Sequence, residues 1–311
     1  MTATSHKMMK SSVHWALNAI GDRWNYLIIQ EAFRGLSRYE ELREATGASR
    51  NTLSNRLKGL VSNGILELRP SQQGGVRQAY FLTPAGNDLF NSMLLAWSWA
   101  IRWDAVTEGS PTGMQHSICG KAMLPLMVCT HCGGDISLHS CTQHRGPGAG
   151  FEEVQFTRMH RKRQETGASA SVRPADVADL TTDRWTALVL STQYFGIHRF
   201  DDMQENLNIA TNILTDRLRA LVANGVFERR LYEKAPPRYE YHLTTKGREL
   251  YPHALSLMIW GDKWLLDDGL PPLIVTHKPC GEAVSAAVIC SECREPLDPQ
   301  NVVVRGTRDR D

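Results

Sequence analysis

The chain has 311 residues, 42% hydrophobic and 22% charged, which is the composition of an ordinary globular protein long enough for two domains. No apolar run reaches the roughly 18 residues of a membrane span, and the opening Met-Thr-Ala-Thr-Ser-His-Lys lacks the apolar core of a secretory signal, so a cytoplasmic location is expected. A formal net charge of +2 is too small to argue for a nucleic-acid partner, and any such argument rests on where the charges sit.

The sequence is written twice, with an offset of 161 residues and no gap. Asp22-Arg23-Trp24 recurs as Asp183-Arg184-Trp185, and Leu53, Arg56, Leu57 and Leu60 recur as Leu214, Arg217, Leu218 and Leu221. Cys119, Cys129 and Cys132 recur as Cys280, Cys290 and Cys293. A period this long is a duplicated domain and not a solenoid.

In copy one, Val13, Ala16, Leu17 and Ile20 have the spacing of a short amphipathic helix. A second helix is predicted from about Trp24 to Gly35. Ser37-Arg38-Tyr39-Glu40 has the form of a capping box opening a third helix. Ser49 is expected to cap a fourth, running to Asn63, with Gly64 as its left-handed stop and Leu53, Leu57 and Leu60 as its buried stripe. Ile65–Arg69 and Gln78–Leu82 read as a β-hairpin, and a last helix after Thr83-Pro84 carries Trp97 and Trp103. Copy two repeats this order from Val177 to Trp264. The fold class is therefore mainly α with small β: two tandem winged helix-turn-helix domains, each followed by a small zinc-binding β-hairpin.

With its leucines facing in, helix four turns Asn51, Ser54, Asn55 and Lys58 outward, with Arg50 in the first turn. Copy two places Thr211, Asn212, Thr215, Asp216 and Arg219 there. Such residues at the start of a helix suit the major groove, because Asn pairs with adenine, Arg or Lys with guanine, and Ser or Thr with base or phosphate. A solvated polar face is the plain alternative. Arg38 and Arg199, opening helix three, are candidates for phosphate contact. The wings contribute Arg77 in one copy and Lys234 and Arg238 in the other. Arg56 and Arg217 lie to the side and suit a structural ion pair as well as a phosphate.

These motifs resemble the HxlR-type winged helix-turn-helix regulators of bacteria, relatives of the MarR group. Copy two carries the pattern in Asp183-Arg184-Trp185, Arg199-Phe200-Asp201, Pro236-Pro237-Arg238-Tyr239-Glu240-Tyr241 and Trp260-Gly261. Copy one departs at the wing, with Gly74-Gly75-Val76-Arg77. The resemblance implies a dimeric transcription factor that binds double-stranded DNA and pairs through its first and last helices. It also implies, in some members, an oxidant-sensing cysteine before the first helix. Here Ser11 and Val172 stand at that place, so this mode is not expected.

His116-x2-Cys119-x9-Cys129-x2-Cys132 and His277-x2-Cys280-x9-Cys290-x2-Cys293 have the spacing of two zinc knuckles. Each set is read as one structural zinc site closed within its own hairpin, stabilising the fold by on the order of 10 kcal/mol. Reduced cysteines without metal, or a redox switch, are the alternatives, and His131 competes for the histidine place. Cys141, the seventh cysteine, has no repeat partner and reads as an inert thiol.

The expected boundaries are 1–115 for the first winged-helix domain, 116–140 for its zinc hairpin and 141–172 for a linker. The second domain then covers 173–276, its zinc hairpin 277–300 and a tail 301–311. Within the linker, Arg158, His160, Arg161, Lys162 and Arg163 could follow phosphates, although a solvated connector is the simpler reading. Trp97, Trp99, Trp103, Trp260 and Trp264 are expected in a core or in a seam between the copies, where a small-molecule effector would also find room. The function expected is a sequence-specific transcriptional regulator reading two half-sites as an internal pseudo-dimer or a homodimer. A winged-helix protein-interaction adaptor is the alternative. No His-Glu-x-x-His, phosphate loop or open zinc site suggests an enzyme.

Overall fold

The structure is a computed structural model, and it describes residues 5–70, 78–103, 105, 111–155, 182–266 and 269–306. Copy one contains β1 (Ser5–Met9), α1 (Ser12–Ile20), α2 (Arg23–Phe33), α3 (Tyr39–Thr46) and α4 (Arg50–Ser62), then the wing strands β2 (Leu66–Pro70) and β3 (Gln78–Leu82). It closes with α5 (Pro84–Asp88) and α6 (Phe90–Arg102). In copy two the matching elements are α7 (Arg184–Tyr194), α8 (Phe200–Leu207), α9 (Thr211–Ala223), β8 (Phe227–Lys234), β9 (Pro237–Leu243), α10 (Thr245–Arg248) and α11 (Tyr251–Trp264). The counterpart of α1, together with Val172 and the basic run from Arg158 to Arg163, lies outside the described residues.

Local chemistry sets these boundaries. Ser11 caps α1 by accepting from the His14 N–H, Asp22 caps α2 through the N–H groups of Trp24 and Asn25, and Ser49 caps α4 through that of Thr52. Gly64 and Gly225, with φ of +70° and +67°, turn the chain from α4 and α9 into the wings, a conformation L side chains rarely adopt. The cap of α3 differs from expectation. It is Arg38, whose N–H is accepted by Glu41 at 3.1 Å, while the Ser37 carbonyl accepts from Tyr80 of the wing. Ser37 is thus held by β3, and the helix begins one residue later. The closing helices are also broken, at Leu89 and Leu250, where α5 gives way to α6 and α10 to α11.

The largest departure concerns the segments expected to be zinc hairpins. Copy one contributes β4 (Pro111–His116), β5 (Pro125–Cys129) and β6 (Cys141–Arg145), and copy two β10 (Leu273–His277), β11 (Ala286–Cys290) and β12 (Val302–Gly306). None forms a ladder within its own copy. β4 pairs with β12, β5 with β11 and β6 with β10, all antiparallel. Within a copy only single bridges remain, such as Gln115–Ala122 and Thr276–Ala283. The physical reason is the repeat. Each strand meets an equivalent edge on the other copy, so pairing across satisfies the same backbone groups as a local hairpin would. In the β5–β11 ladder Met127 faces Val288, its own repeat counterpart, so a pseudo-twofold axis passes through that pair.

The expected linker, 141–172, and tail, 301–311, are corrected in the same way. Residues 141–145 and 302–306 are strands of this crossed module, and β7 (Phe151–Gln155) pairs with β1.

Helices cross as well. Tyr251, Leu255, Met258 and Trp260 of α11 join the core built by copy one, while Ala96, Trp99 and Ala100 of α6 join that of copy two. α11 also packs on α1 so closely that a Cβ on Gly261 would stand 2.4 Å from the Ser12 carbonyl oxygen. The tryptophans repeat the symmetry. Trp99 Nε1 donates to the Lys246 carbonyl at 2.8 Å and Trp260 Nε1 to that of Ala85 at 2.8 Å, while Trp103 and Trp264 reach Glu249 and Asp88 at 2.9 Å each. Ser92 and His253, 161 residues apart, meet at 3.1 Å. These tryptophans therefore lie at the seam between the copies. With three ladders and two helices exchanged, cutting a protease site introduced between residues 156 and 181 is expected to leave two fragments that co-elute in native size-exclusion chromatography. Fragments that separate would show that the exchanged elements contribute little.

Candidate nucleic-acid interface and metal centres

Both fourth helices rest on buried leucines, Leu53, Leu57 and Leu60 under α4 and Leu214, Leu218 and Leu221 under α9. The opposite side is open. Arg50, Asn51, Asn55 and Lys58 are exposed on α4, as are Thr211, Asn212 and Arg219 on α9, with Ser54, Thr215 and Asp216 half-buried. Part of this surface is already ordered. Tyr39 of α3 donates from its hydroxyl to the Arg50 carbonyl at 3.0 Å and meets Ser54 Oγ at 3.1 Å. In copy two, Gln204 Nε2 donates to Thr211 Oγ1 at 2.8 Å, and Thr215 Oγ1 donates to the Thr211 carbonyl at 2.7 Å. Asn55 Nδ2 donates to Asn51 Oδ1 at 3.3 Å. Tyr39 and Gln204 were not singled out from the sequence, since only the packing of the preceding helix brings them to the face.

The flanking cations are less free than expected. Arg199 donates from Nε to Glu240 at 3.1 Å, and its guanidinium lies over the Tyr232 ring at 4.5 Å. That hydrogen bond, aided by His242, holds the Glu240 carboxyl below the usual carboxylate range. Arg238 pairs with Glu233 at 3.3 Å, and Arg38 stands 3.8 Å from Glu41. Lys234 is exposed at the end of β8, and Arg77 lies outside the described residues. For Arg56 and Arg217 the structural alternative holds. Arg56 bonds Asp22 at 2.5 Å, and Arg217 makes a two-pronged pair with Asp183 at 2.7 and 2.9 Å. The repeated Asp-Arg-Trp motif thus anchors helix four to helix two.

The cysteines and histidines gather into two clusters. His116 and Cys119 of copy one join Cys290 and Cys293 of copy two, and Cys129 and Cys132 of copy one join His277 and Cys280. Every residue expected as a ligand is present, but the expected partition within each copy is wrong. Each cluster takes a histidine knuckle from one copy and a CxxC knuckle from the other, because the strands that carry them pair across the axis. His131 is exposed and belongs to neither cluster.

Within each cluster all ligand atoms lie within 4.8 Å of one another. Cys119 and Cys290 sulfurs are 3.9 Å apart, as are those of Cys129 and Cys280, far beyond a disulfide bond of about 2.05 Å. The imidazole Nδ1 atoms stand 3.2 Å from Cys293 and 3.3 and 3.4 Å from Cys132 and Cys280. Bond lengths of about 2.3 Å to sulfur and 2.0 Å to nitrogen give a tetrahedron with edges of about 3.8 and 3.5 Å, so the spacing fits a four-coordinate metal. Burial raises the Cys290 thiol, but the N–H groups of Cys293 and Glu292 outweigh it and bring the thiol below its ordinary value. Cys129 is lowered in the same way, with His131 and Cys132 as donors. Cys141, buried outside both clusters, is pushed up by burial, as suits an unreactive thiol.

Comparison with known proteins identifies the two helix-turn-helix units. The family described as HxlR-like helix-turn-helix matches residues 19–107 and 180–268, and the chain belongs to that family, twice over. An uncharacterised HTH-type transcriptional regulator of Mycobacterium tuberculosis is 38% identical over 144 residues, covering 46% of this chain and 91% of that protein. Another, from Synechocystis, is 36% identical over 102 residues, 32% of this chain and 74% of that protein. A solved protein of Pseudomonas aeruginosa superposes with a TM-score of 0.33 at 27% identity, over 41% of this chain and 87% of its own. The family and these relatives are transcriptional regulators and not enzymes. Among the described residues no helix is long and apolar enough to cross a membrane.

Proposed function

We propose that the protein is a DNA-binding transcriptional regulator that acts as an internal pseudo-dimer, presenting α4 and α9 to two successive major grooves. The observation that carries this reading is the matched pair of leucine-backed helices whose outward faces hold Asn51 and Lys58 in one copy and Asn212 and Arg219 in the other. Arg50, Ser54, Asn55, Thr211 and Thr215 complete the faces, with Arg38, Arg77 and Lys234 as backbone contacts. Arg199 and Arg238 must first leave Glu240 and Glu233, so they add less. Two structural zinc ions, held by the crossed Cys3His clusters, fix the copies about their common axis.

Because the two faces differ in side chains, selection from random duplexes is expected to return an imperfect inverted repeat. Its half-sites should lie one helical turn, about 34–36 Å, apart. A perfect inverted repeat would instead show like copies pairing between separate chains. A second reading, a protein-interaction role for copy two, is favoured only by the engagement of Arg199 and of the wing residue Arg238 by glutamates and by Asp216, a like charge to phosphate. It predicts half-sites readable on one side alone.

A further inference from the structure

The two copies share a backbone plan but not a solid interior. An open cavity of about 420 Å³ lies between α7, α8, α11 and β10 of copy two and β6, residues 149–151 and the segment Met9–Val13 of copy one. A second hollow, lined by Tyr26, Ile29, Leu89 and Met93 of copy one with Thr182, His253 and Leu257 of copy two, holds only about 20 Å³. The sequence explains the difference. Five cavity-wall residues of copy two, Ala187, Ser191, Ala254, Met258 and Val275, stand where copy one has Tyr26, Gln30, Met93, Trp97 and Met114. All five copy-one side chains are buried and fill their space. The opposite changes, such as Leu257 for Ala96 and His253 for Ser92, do not close the gap.

Natural interiors leave few voids larger than a water molecule, and a hollow of several hundred Å³ with apolar walls has the dimensions of a ligand site. The chemistry of its walls narrows the ligand. The depth is apolar, formed by Leu188, Leu190, Leu207 and Leu255 among others. The mouth is amphipathic, for Phe151 and Phe195 are 60% and 45% exposed there. Beside them stand two cations, Arg145 and Lys10. The Arg145 guanidinium has no hydrogen bond or ion pair among the described residues, and Glu152, next to Phe151, is engaged by Trp15 Nε1 at 2.8 Å. An apolar hollow ending at an unneutralised guanidinium suits a molecule with an apolar body and one anionic end. At the packing density of a protein interior the space takes roughly 15–20 non-hydrogen atoms.

We propose that this cavity is a binding site, one per chain, for an amphipathic carboxylate, with the body among the leucines of copy two and the carboxylate at Arg145 and Lys10. The site does not depend on the DNA reading. It would bear on that reading, because one wall is α8, the helix preceding the recognition helix α9.

Calorimetric titration of the full-length protein with dodecanoate tests it. One equivalent per chain is expected to bind. Arg145→Gln should weaken dodecanoate by at least about tenfold, the worth of a charge-assisted hydrogen bond, while leaving 1-dodecanol unchanged. Ala187→Tyr with Ala254→Met, which restores the copy-one residues, should abolish binding of both. Absence of binding, two equivalents per chain, or binding that survives the refilled cavity would overturn the site. Equal response of acid and alcohol to Arg145→Gln would overturn the carboxylate assignment. Should the refilled protein fail to fold, the stoichiometry and the Arg145→Gln comparison still decide.

Discussion

Serine at both Cys119 and Cys290 is expected to leave one zinc ion per chain, whereas serine at both Cys119 and Cys129 leaves none. The two double variants remove the same number of thiols. They differ because Cys119 and Cys290 belong to one cluster, while Cys119 and Cys129 belong to two. Ligands closed within each copy would give the opposite counts, so metal analysis of the purified variants separates the arrangements. The energetic effect should be large. Structural zinc contributes on the order of 10 kcal/mol of apparent binding energy at neutral pH, comparable with the 5–15 kcal/mol net stability of a typical domain. The variant lacking both ions is therefore expected to lose cooperative thermal unfolding of the crossed strands, and the variant keeping one to unfold at an intermediate temperature. Zinc counts reversed between the two variants would dismantle the crossed arrangement.

Alanine at Asn51, Lys58, Asn212 and Arg219 together is expected to reduce affinity for the selected duplex by at least about 10³-fold. Each lost base contact costs about 1–3 kcal/mol, and every 1.4 kcal/mol is tenfold. Removing two cations should also lower the dependence of log affinity on log salt by about 2, measurable by titration across ionic strengths. All four side chains are exposed, so the variant should keep the metal content and unfolding temperature of the parent. A folded, metal-loaded variant that binds the duplex as tightly and as selectively as the parent would remove α4 and α9 from the role given them.

Much of this was legible in the sequence, for reasons that can be named. The helices α4 and α9 announced themselves through a local period, three leucines beneath a polar face, with Ser49 and Gly64 at the ends of the first. The ligand residues were legible because a knuckle is a short-range object, two side chains three apart. Which knuckles meet in one cluster was not legible, since equivalent strand edges in two copies offer equivalent partners and no spacing rule tells them apart. The engagement of Arg199 by Glu240, 41 residues away, and the seating of Ser37 against Tyr80 were hidden because each joins residues distant in the chain, which no local pattern records. The cavity needed both kinds of information. The size changes at Ala187, Ala254 and Met258 are written in the alignment of the two copies, but only the fold shows that they converge on one space.

Met127 opposite Val288 means that both arms of the regulator travel on one polypeptide. A regulator assembled from separate subunits dissociates on dilution, and its occupancy of an operator then falls with the square of subunit concentration. In the proposed pseudo-dimer the partner is supplied at a fixed local concentration by the chain itself, so occupancy should rise in simple proportion to the amount of protein, down to the first few molecules made.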